Sequence, residues 1–247
     1  MSAETNARWW EGYFVRYAQG SVIGALFVAV IFSSNAHLKS YLFMPKLGEK
    51  IEAANLLLML AYGLVFCYVS SAPILVLHAC RGLKLDARWS SASWTAYRCL
   101  TYFLLAAIIY FSLYLGFEDQ LFTTLMAKFV MGVLAFLLSF QFVNLLGLIG
   151  PGWGESVKYF KGLAEKRGKA DNKEYVESYR HLREHGNAFM ILIFEFFFAA
   201  ILYPMVINFP ELSETPPISL VFVLLLWVLP AAMVWLAGTK LEHALVR

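Results

Sequence analysis

The chain has 247 residues, of which 60% are hydrophobic and only 15% are charged, and its formal net charge is +3. A soluble domain carries charge on about a quarter of its residues, so the composition excludes an ordinary globular protein. The chain also lacks the dense lysine and arginine clusters that bind a phosphate backbone, so no nucleic-acid partner is expected.

The apolar residues occur in blocks long enough to cross a bilayer, which takes about 20 residues per helix. They predict an all-α fold, a polytopic transmembrane helical bundle that forms one integral membrane domain over residues 1–247. The six predicted spans cover residues 17–34, 54–77, 99–117, 121–149, 187–209 and 218–238. The lipid bilayer is thus the first predicted partner. Residues 150–186, between spans four and five, form the largest water-facing segment, and we call this segment the arm.

Small residues and proline mark the first two spans. Span one contains Gly20-x-x-x-Gly24, a spacing that lets two helix backbones approach closely. The aromatic segment that leads into this span carries Arg8 and Arg16, and it is expected to lie at the level of the lipid headgroups. Span two carries Pro73, which is expected to kink the helix or to end its regular part.

Span four follows a short acidic segment. Glu118-Asp119-Gln120 predicts a tight turn between spans three and four. The span itself contains three polar residues, Lys128, Gln141 and Asn144. Because the span is long and contains these polar residues, it is expected to tilt or to extend beyond the hydrocarbon, and the three are candidate intramembrane site residues.

The most informative single residue is Glu195, about eight residues into span five. A lone carboxylate at that depth costs several kcal/mol unless it has a partner or takes up a proton. Lys128 lies seven residues from the outer start of the predicted span four, at a comparable depth. Two alternatives follow: a structural ion pair between Glu195 and Lys128, or a carboxyl group that handles a proton or an ion.

The arm divides into two predicted helices, and the second carries most of its chemistry. Its candidate residues are Glu177, Arg180, His181, Arg183, Glu184 and His185. His181 and His185 are four residues apart and share a helix face, so with a carboxylate they could form a partial metal site. The order differs from His-Glu-x-x-His, and a charge network is the alternative. The arm as a whole is either a solvated connector or a surface that binds a partner or ligand.

Helical geometry raises one further possibility for the arm. Glu177 and Glu195 are eighteen residues apart, which is five full helical turns. If the arm helix continued into span five, these glutamates would lie on one polar face. Gly186-Asn187 favours a break instead, because glycine commonly ends a helix and asparagine commonly begins one. The sequence leaves both arrangements open.

Few motifs point to an enzyme. The chain has no Gly-x-Ser-x-Gly element, no P-loop and no Gly-x-Gly-x-x-Gly element, and no cofactor is predicted. Cys67, Cys80 and Cys99 lack the spacing of a disulfide framework or a zinc site, so they are expected to be thiols without chemistry.

Charge asymmetry predicts the orientation of the spans. Sixteen of the 20 lysines and arginines fall on the side that holds both termini and the arm. Positive charge is retained on the cytoplasmic side, so both termini and the arm are predicted to be cytoplasmic, in a bacterial-type inner membrane.

The favoured function is non-enzymatic: a multi-pass protein that self-associates or joins a membrane complex. Its arm would receive a membrane or cytoplasmic protein partner, or a signal, and its polar intramembrane residues would line a conduit. One alternative is a small stand-alone transporter or channel that uses Glu195. Another is a membrane enzyme with a metal site at His181 and His185.

Overall fold

The computed structural model describes most of the chain, and what it describes is helical. The described residues are 13–42, 50, 52–80, 92–150, 152–167, 173–207 and 218–246, with the backbone alone for 13–14, 92–96, 120, 173–185 and 245–246. The helices are α1 (Tyr13–Ser33), α2 (Ala36–Lys39), α3 (Ala53–Ser70), α4 (Ala72–Ala79), α5 (Ala92–Leu121), α6 (Leu125–Ile149), α7 (Trp153–Arg167), α8 (Lys173–Ile207) and α9 (Ile218–Val246). A short 3-10 turn, Ser40–Leu42, follows α2. The all-α prediction is confirmed over these residues.

Six helical segments within the described residues are long and apolar enough to cross a membrane. They cover Val15–Ser33, Ala53–Ala79, Tyr97–Asp119, Leu125–Ile149, Gly186–Ile207 and Ile218–Ala244. The predicted spans are therefore confirmed in number and order. Span two is interrupted where the sequence indicated: α3 ends at Ser70, and Pro73 lies in the first turn of α4. Proline is tolerated there because the first amides of a helix have no intrahelical acceptor.

The prediction of a tight turn at Glu118-Asp119-Gln120 is wrong. Helix α5 continues through these residues to Leu121, with one non-helical residue, Phe117, at φ −144° and ψ 32°. The hydroxyl of Tyr114 donates a hydrogen bond to the carboxylate of Glu118, one turn further on. This side-chain bond holds the acidic residue against its own helix.

The chain reverses after this helix, at residues 122–124. Thr124 begins α6 by accepting a hydrogen bond from the amide of Ala127 at 3.0 Å, the usual role of a threonine N-cap. Span four therefore starts at Leu125 rather than at residue 121. As a consequence, Lys128 lies in the first turn of the span and not deep within it.

Packing divides the chain into two compact units, Met1–Ser71 with Lys173–Ala199 and Ala72–Asn172 with Ala200–Arg247. In the first unit, α1 and α3 cross in direct backbone contact. A Cβ on Gly24 would lie 2.5 Å from the carbonyl oxygen of Gly63, so neither position accepts a side chain. Tyr17 and Tyr68 stack beside this crossing with ring centroids 4.4 Å apart. The glycine spacing of span one thus serves a helix crossing inside the chain.

The part of α8 that belongs to the first unit packs through aromatic rings instead of glycines. The ring centroid of Phe198 lies 5.5 Å from that of Phe66 on α3. Phe196 meets Phe27 on α1 edge to face at 6.5 Å. The first unit is therefore a bundle of α1, α3 and α8, and the side chain of Glu195 is enclosed within it.

In the second unit α6 is the central helix. Its buried residues recur in alternating steps of three and four, as expected for a helix face that packs on other helices: Ala127, Met131, Leu134, Leu138, Gln141, Leu145 and Leu148. Leu145 and Leu148 form one core cluster with Val76 of α4 and with Ala231 and Val234 of α9. Helix α5 packs on α6 through rings such as Tyr102 and Phe140, whose centroids are 5.4 Å apart.

The described part of the arm is helical except for the turn at Gly150 and Gly152. The chain turns at Gly152, whose amide donates to the carbonyl of Gly147 at 2.8 Å, and α7 then begins at Trp153. Helix α8 runs unbroken for 35 residues from Lys173 to Ile207, so the break at Gly186-Asn187 does not occur. A glycine inside a helix costs only about 1 kcal/mol, and the packing of the apolar half of α8 offsets that cost.

Candidate functional site

Glu195 lies in the middle of the fifth span and is completely buried. It is the tenth residue of the span that begins at Gly186, which places it about 14 Å along the helix axis from Gly186. Its side chain is 0% exposed. The carboxyl group is therefore enclosed by protein.

The pocket around the carboxyl group is formed by α1, α3 and α8. A Cβ built on Gly20 of α1 would lie 3.1 Å from Oε1 of Glu195 and 3.3 Å from Cγ2 of Ile191, and it would collide with Sγ of Cys67. Gly20 therefore leaves the space that the carboxyl group and the thiol occupy. Both side chains lie against the same α-carbon.

The electrostatic environment of Glu195 is weakly polar. The thiol of Cys67 adjoins the carboxyl group, but neither carboxyl oxygen has a hydrogen bond of ordinary geometry among the described residues. An ionised carboxylate in such a place costs roughly 2.5–3.5 kcal/mol or more. A neutral acid, or a carboxylate with a bound cation, is the form that the pocket accommodates.

Arg16 lies in the first turns of α1 and is 8% exposed, so its side chain packs against protein. Its position at the level of the lipid headgroups stays a prediction. Arg16 and Gly20 are four residues apart and share a helix face.

Lys128 is exposed in the first turn of α6 and belongs to the second unit. The depth argument for an ion pair with Glu195 assumed a span that began four residues earlier, and that premise is wrong. The pair itself stays a prediction. The alternative, in which Glu195 handles a proton or an ion, stays a prediction as well.

Two further predicted residues, Gln141 and Asn144, are buried on α6. Asn144 donates to the carbonyl of Phe140 at 2.6 Å and accepts from the hydroxyl of Tyr102 at 3.4 Å. Gln141 is 2% exposed, and neither of its amide atoms has a hydrogen bond among the described residues. The sequence predicts that both residues lie inside the membrane, but it did not identify Tyr102 as a partner of Asn144.

The arm residues lie on the first half of α8, where the structure describes the backbone alone. The residues are Glu177, Arg180, His181, Arg183, Glu184 and His185. Their side chains lie outside the described part of the chain, so the metal site at His181 and His185 stays a prediction. No group of three or more potential ligands for a metal occurs among the residues whose side chains are described.

The fold and the site together define a multi-pass α-helical membrane protein with a buried carboxyl group in one of its spans. Comparison with protein-family models, with curated proteins and with solved structures finds no match for the chain.

Proposed function

We propose that this protein is a non-enzymatic multi-pass membrane protein that responds to protons. Glu195 binds and releases a proton, and α8 transmits the change to the arm, which receives a protein partner in a membrane complex or in a second copy of the chain. In the same proposal, the polar side chains of Gln141 and Asn144 line a conduit.

The observation that carries this proposal is the burial of Glu195 without a hydrogen bond to either oxygen among the described residues. A fixed structural carboxylate is normally satisfied by cations or by several donors. Here the neighbouring groups are the neutral thiol of Cys67 on α3, Gly20 of α1 and Ile191 of α8 itself. A carboxyl group with so few permanent partners is suited to change its protonation state.

The connection to the arm rests on the continuity of α8. One helix carries both the buried carboxyl group and the charged residues 173–185, without a hinge between them. A shift or rotation of α8 at Glu195 therefore moves the arm as well. The arm holds eight lysines and arginines and six acidic residues, so its mixed charges are suited to a partner surface that carries complementary charges.

Fluorescence of a label on the arm tests the coupling. An environment-sensitive dye is attached to a cysteine introduced at Ser178, in a background where the exposed Cys99 is replaced by serine. In nanodiscs, the emission is expected to change with pH in the parent and to lose that change in Glu195→Gln. Glu165→Gln, the same chemical change at an exposed position of α7, is the matched control and should behave like the parent. Identical titrations of the parent and Glu195→Gln would contradict the proposal.

Transport is the second candidate, because the same buried carboxyl group would serve a carrier. Proton flux into sealed vesicles with an imposed pH gradient separates the two functions. A coupling protein should give no sustained flux above that of empty vesicles. Sustained flux that disappears in Glu195→Gln would favour the transporter.

A further inference from the structure

A second site lies in the other unit, where α7 begins and α9 ends. A cavity of about 430 Å³ is lined by Trp153 of α7 and by Lys240, His243 and Ala244 of α9. None of these residues belongs to the Glu195 site. The three residues of α9 follow the spacing i, i+3 and i+4, so they present one helix face to the cavity.

The ammonium group of Lys240 is held at this cavity by an aromatic ring. Its Nζ lies 4.8 Å from the ring centroid of Trp153, within the range of a cation–π interaction. The nearby acidic residues point away by helical register: Glu242 lies about 200° around α9 from Lys240, and Glu155 about 200° around α7 from Trp153. Among the described residues, the lining is therefore basic, aromatic or apolar.

The position of the cavity indicates the source of an anion. Helix α6 ends at Ile149, four residues before Trp153, and the sixth span extends to Ala244. Both elements therefore reach the cavity at the edge of the bilayer. Tryptophan favours that level, and basic pockets at the ends of spans are suited to lipid headgroups.

We propose that the cavity formed by Trp153, Lys240 and His243 binds the phosphate group of an anionic phospholipid. Lys240 supplies the charge, the ring of Trp153 fixes the lysine, and His243 supplies a ring N–H donor. Helix α7 supports a lipid source: Val157 and Phe160 are partly buried, while Lys158 and Lys161 are exposed, as in a helix that lies on a membrane surface.

Lipid binding to the full chain in a neutral detergent tests the site. The thermal unfolding temperature is measured as dihexanoyl phosphatidylglycerol is added. Dihexanoyl phosphatidylcholine and inorganic phosphate are added in parallel experiments. Phosphatidylglycerol should raise the unfolding temperature, whereas the other two should not. Lys240→Gln should weaken the apparent Kd for phosphatidylglycerol about fivefold, and Lys240→Arg should restore it.

Lys161→Gln is the matched control, since it removes one positive charge from an exposed position of α7. It should leave the apparent Kd unchanged. An equal loss in Lys161→Gln and Lys240→Gln would show diffuse surface attraction and overturn the site. An equal response to phosphatidylcholine would overturn phosphate recognition, and an equal response to inorganic phosphate would overturn the lipid source. Because Lys240 and His243 are exposed, their replacement should not prevent folding, and circular dichroism verifies this.

Discussion

Gly63 has the least room for a side chain among the described glycines. A Cβ at this position would lie 2.6 Å from the backbone nitrogen of Ala25 and would collide with the carbonyl oxygen of Ser21. Gly63→Ala should therefore push α1 and α3 apart and destabilise the protein by about 1–3 kcal/mol or more. Unfolding in sodium dodecyl sulfate, followed by circular dichroism, measures the loss.

The control for this prediction is Gly238→Ala. Gly238 has nothing within 4 Å of a built Cβ and lies inside α9, so alanine should be neutral or should stabilise the helix by up to about 1 kcal/mol. Equal stability of the Gly63 and Gly238 variants would show that α1 and α3 do not cross at the glycines.

A double-mutant cycle separates the two roles left open for Glu195. If Glu195 and Lys128 form a buried pair, each single replacement should cost about 3–5 kcal/mol and the double replacement should recover much of that loss. Because Lys128 is exposed, we expect Lys128→Met to change the free energy of unfolding by less than about 0.5 kcal/mol. The effects of Lys128→Met and Glu195→Leu should then add, and a large coupling energy would restore the ion pair.

The sequence was enough to identify Glu195, because one carboxylate in an apolar run is a local signal. Gly20 and Cys67 could not be assigned to the same pocket in that way. Their proximity depends on how α1, α3 and α8 pack, and those helices are far apart in the chain. Cys67 in particular has no metal or disulfide spacing, so only the packing shows that its thiol adjoins a carboxyl group.

Among the elements, α8 gives the clearest prediction. Spin labels at Val176 and Phe196 are twenty residues apart, and in an unbroken helix they should lie about 30 Å apart with a narrow distance distribution. Double electron–electron resonance on the protein in nanodiscs measures this distance. A shorter and broader distribution would show that the helix breaks at Gly186-Asn187.

Replacing charged residues and histidines of the arm tests whether the first half of α8 binds a partner. Insertion is driven by the apolar spans, so replacing Arg180, His181, Arg183 and His185 together should leave yield and folding nearly unchanged. The pH response of the label at Ser178 should survive, because Glu195 is intact. Partner capture by chemical crosslinking should fail. If the quadruple variant crosslinks like the parent, the arm is only a connector between the spans.

The spans were predictable because hydropathy is read from about 20 consecutive residues and needs no tertiary information. The residues at which the helices begin and end were harder to predict. Glu118-Asp119-Gln120 has the composition of a turn, yet the hydrogen bond from Tyr114 and the cap at Thr124 move the reversal past it. The helix through Gly186 was undecidable from the sequence, since the local signals for a break compete with the packing of the whole helix.

For the whole molecule, the orientation remains a prediction from the charge asymmetry. Sixteen lysines and arginines on one side and three on the other should retain both termini and the arm in the cytoplasm. A reporter that is active only in the cytoplasm should be active when it is fused within residues 160–175 or after Arg247. A reporter that is active only on the external side should be active when it is fused near Asp119 or within residues 210–217. A cytoplasmic signal from residues 210–217 would contradict the six-span arrangement.

The Glu195 pocket joins segments that the ribosome makes at very different times. Gly20 and Cys67 come from the first two spans, and Glu195 follows about 130 residues after Cys67. At about 5–20 residues per second, roughly 6–26 seconds pass between them. During that interval α1 and α3 can pair through Gly24 and Gly63, but the groove that will hold Glu195 is still empty. Nascent chains that stall before span five would therefore present this open groove to the insertion machinery and to membrane proteases.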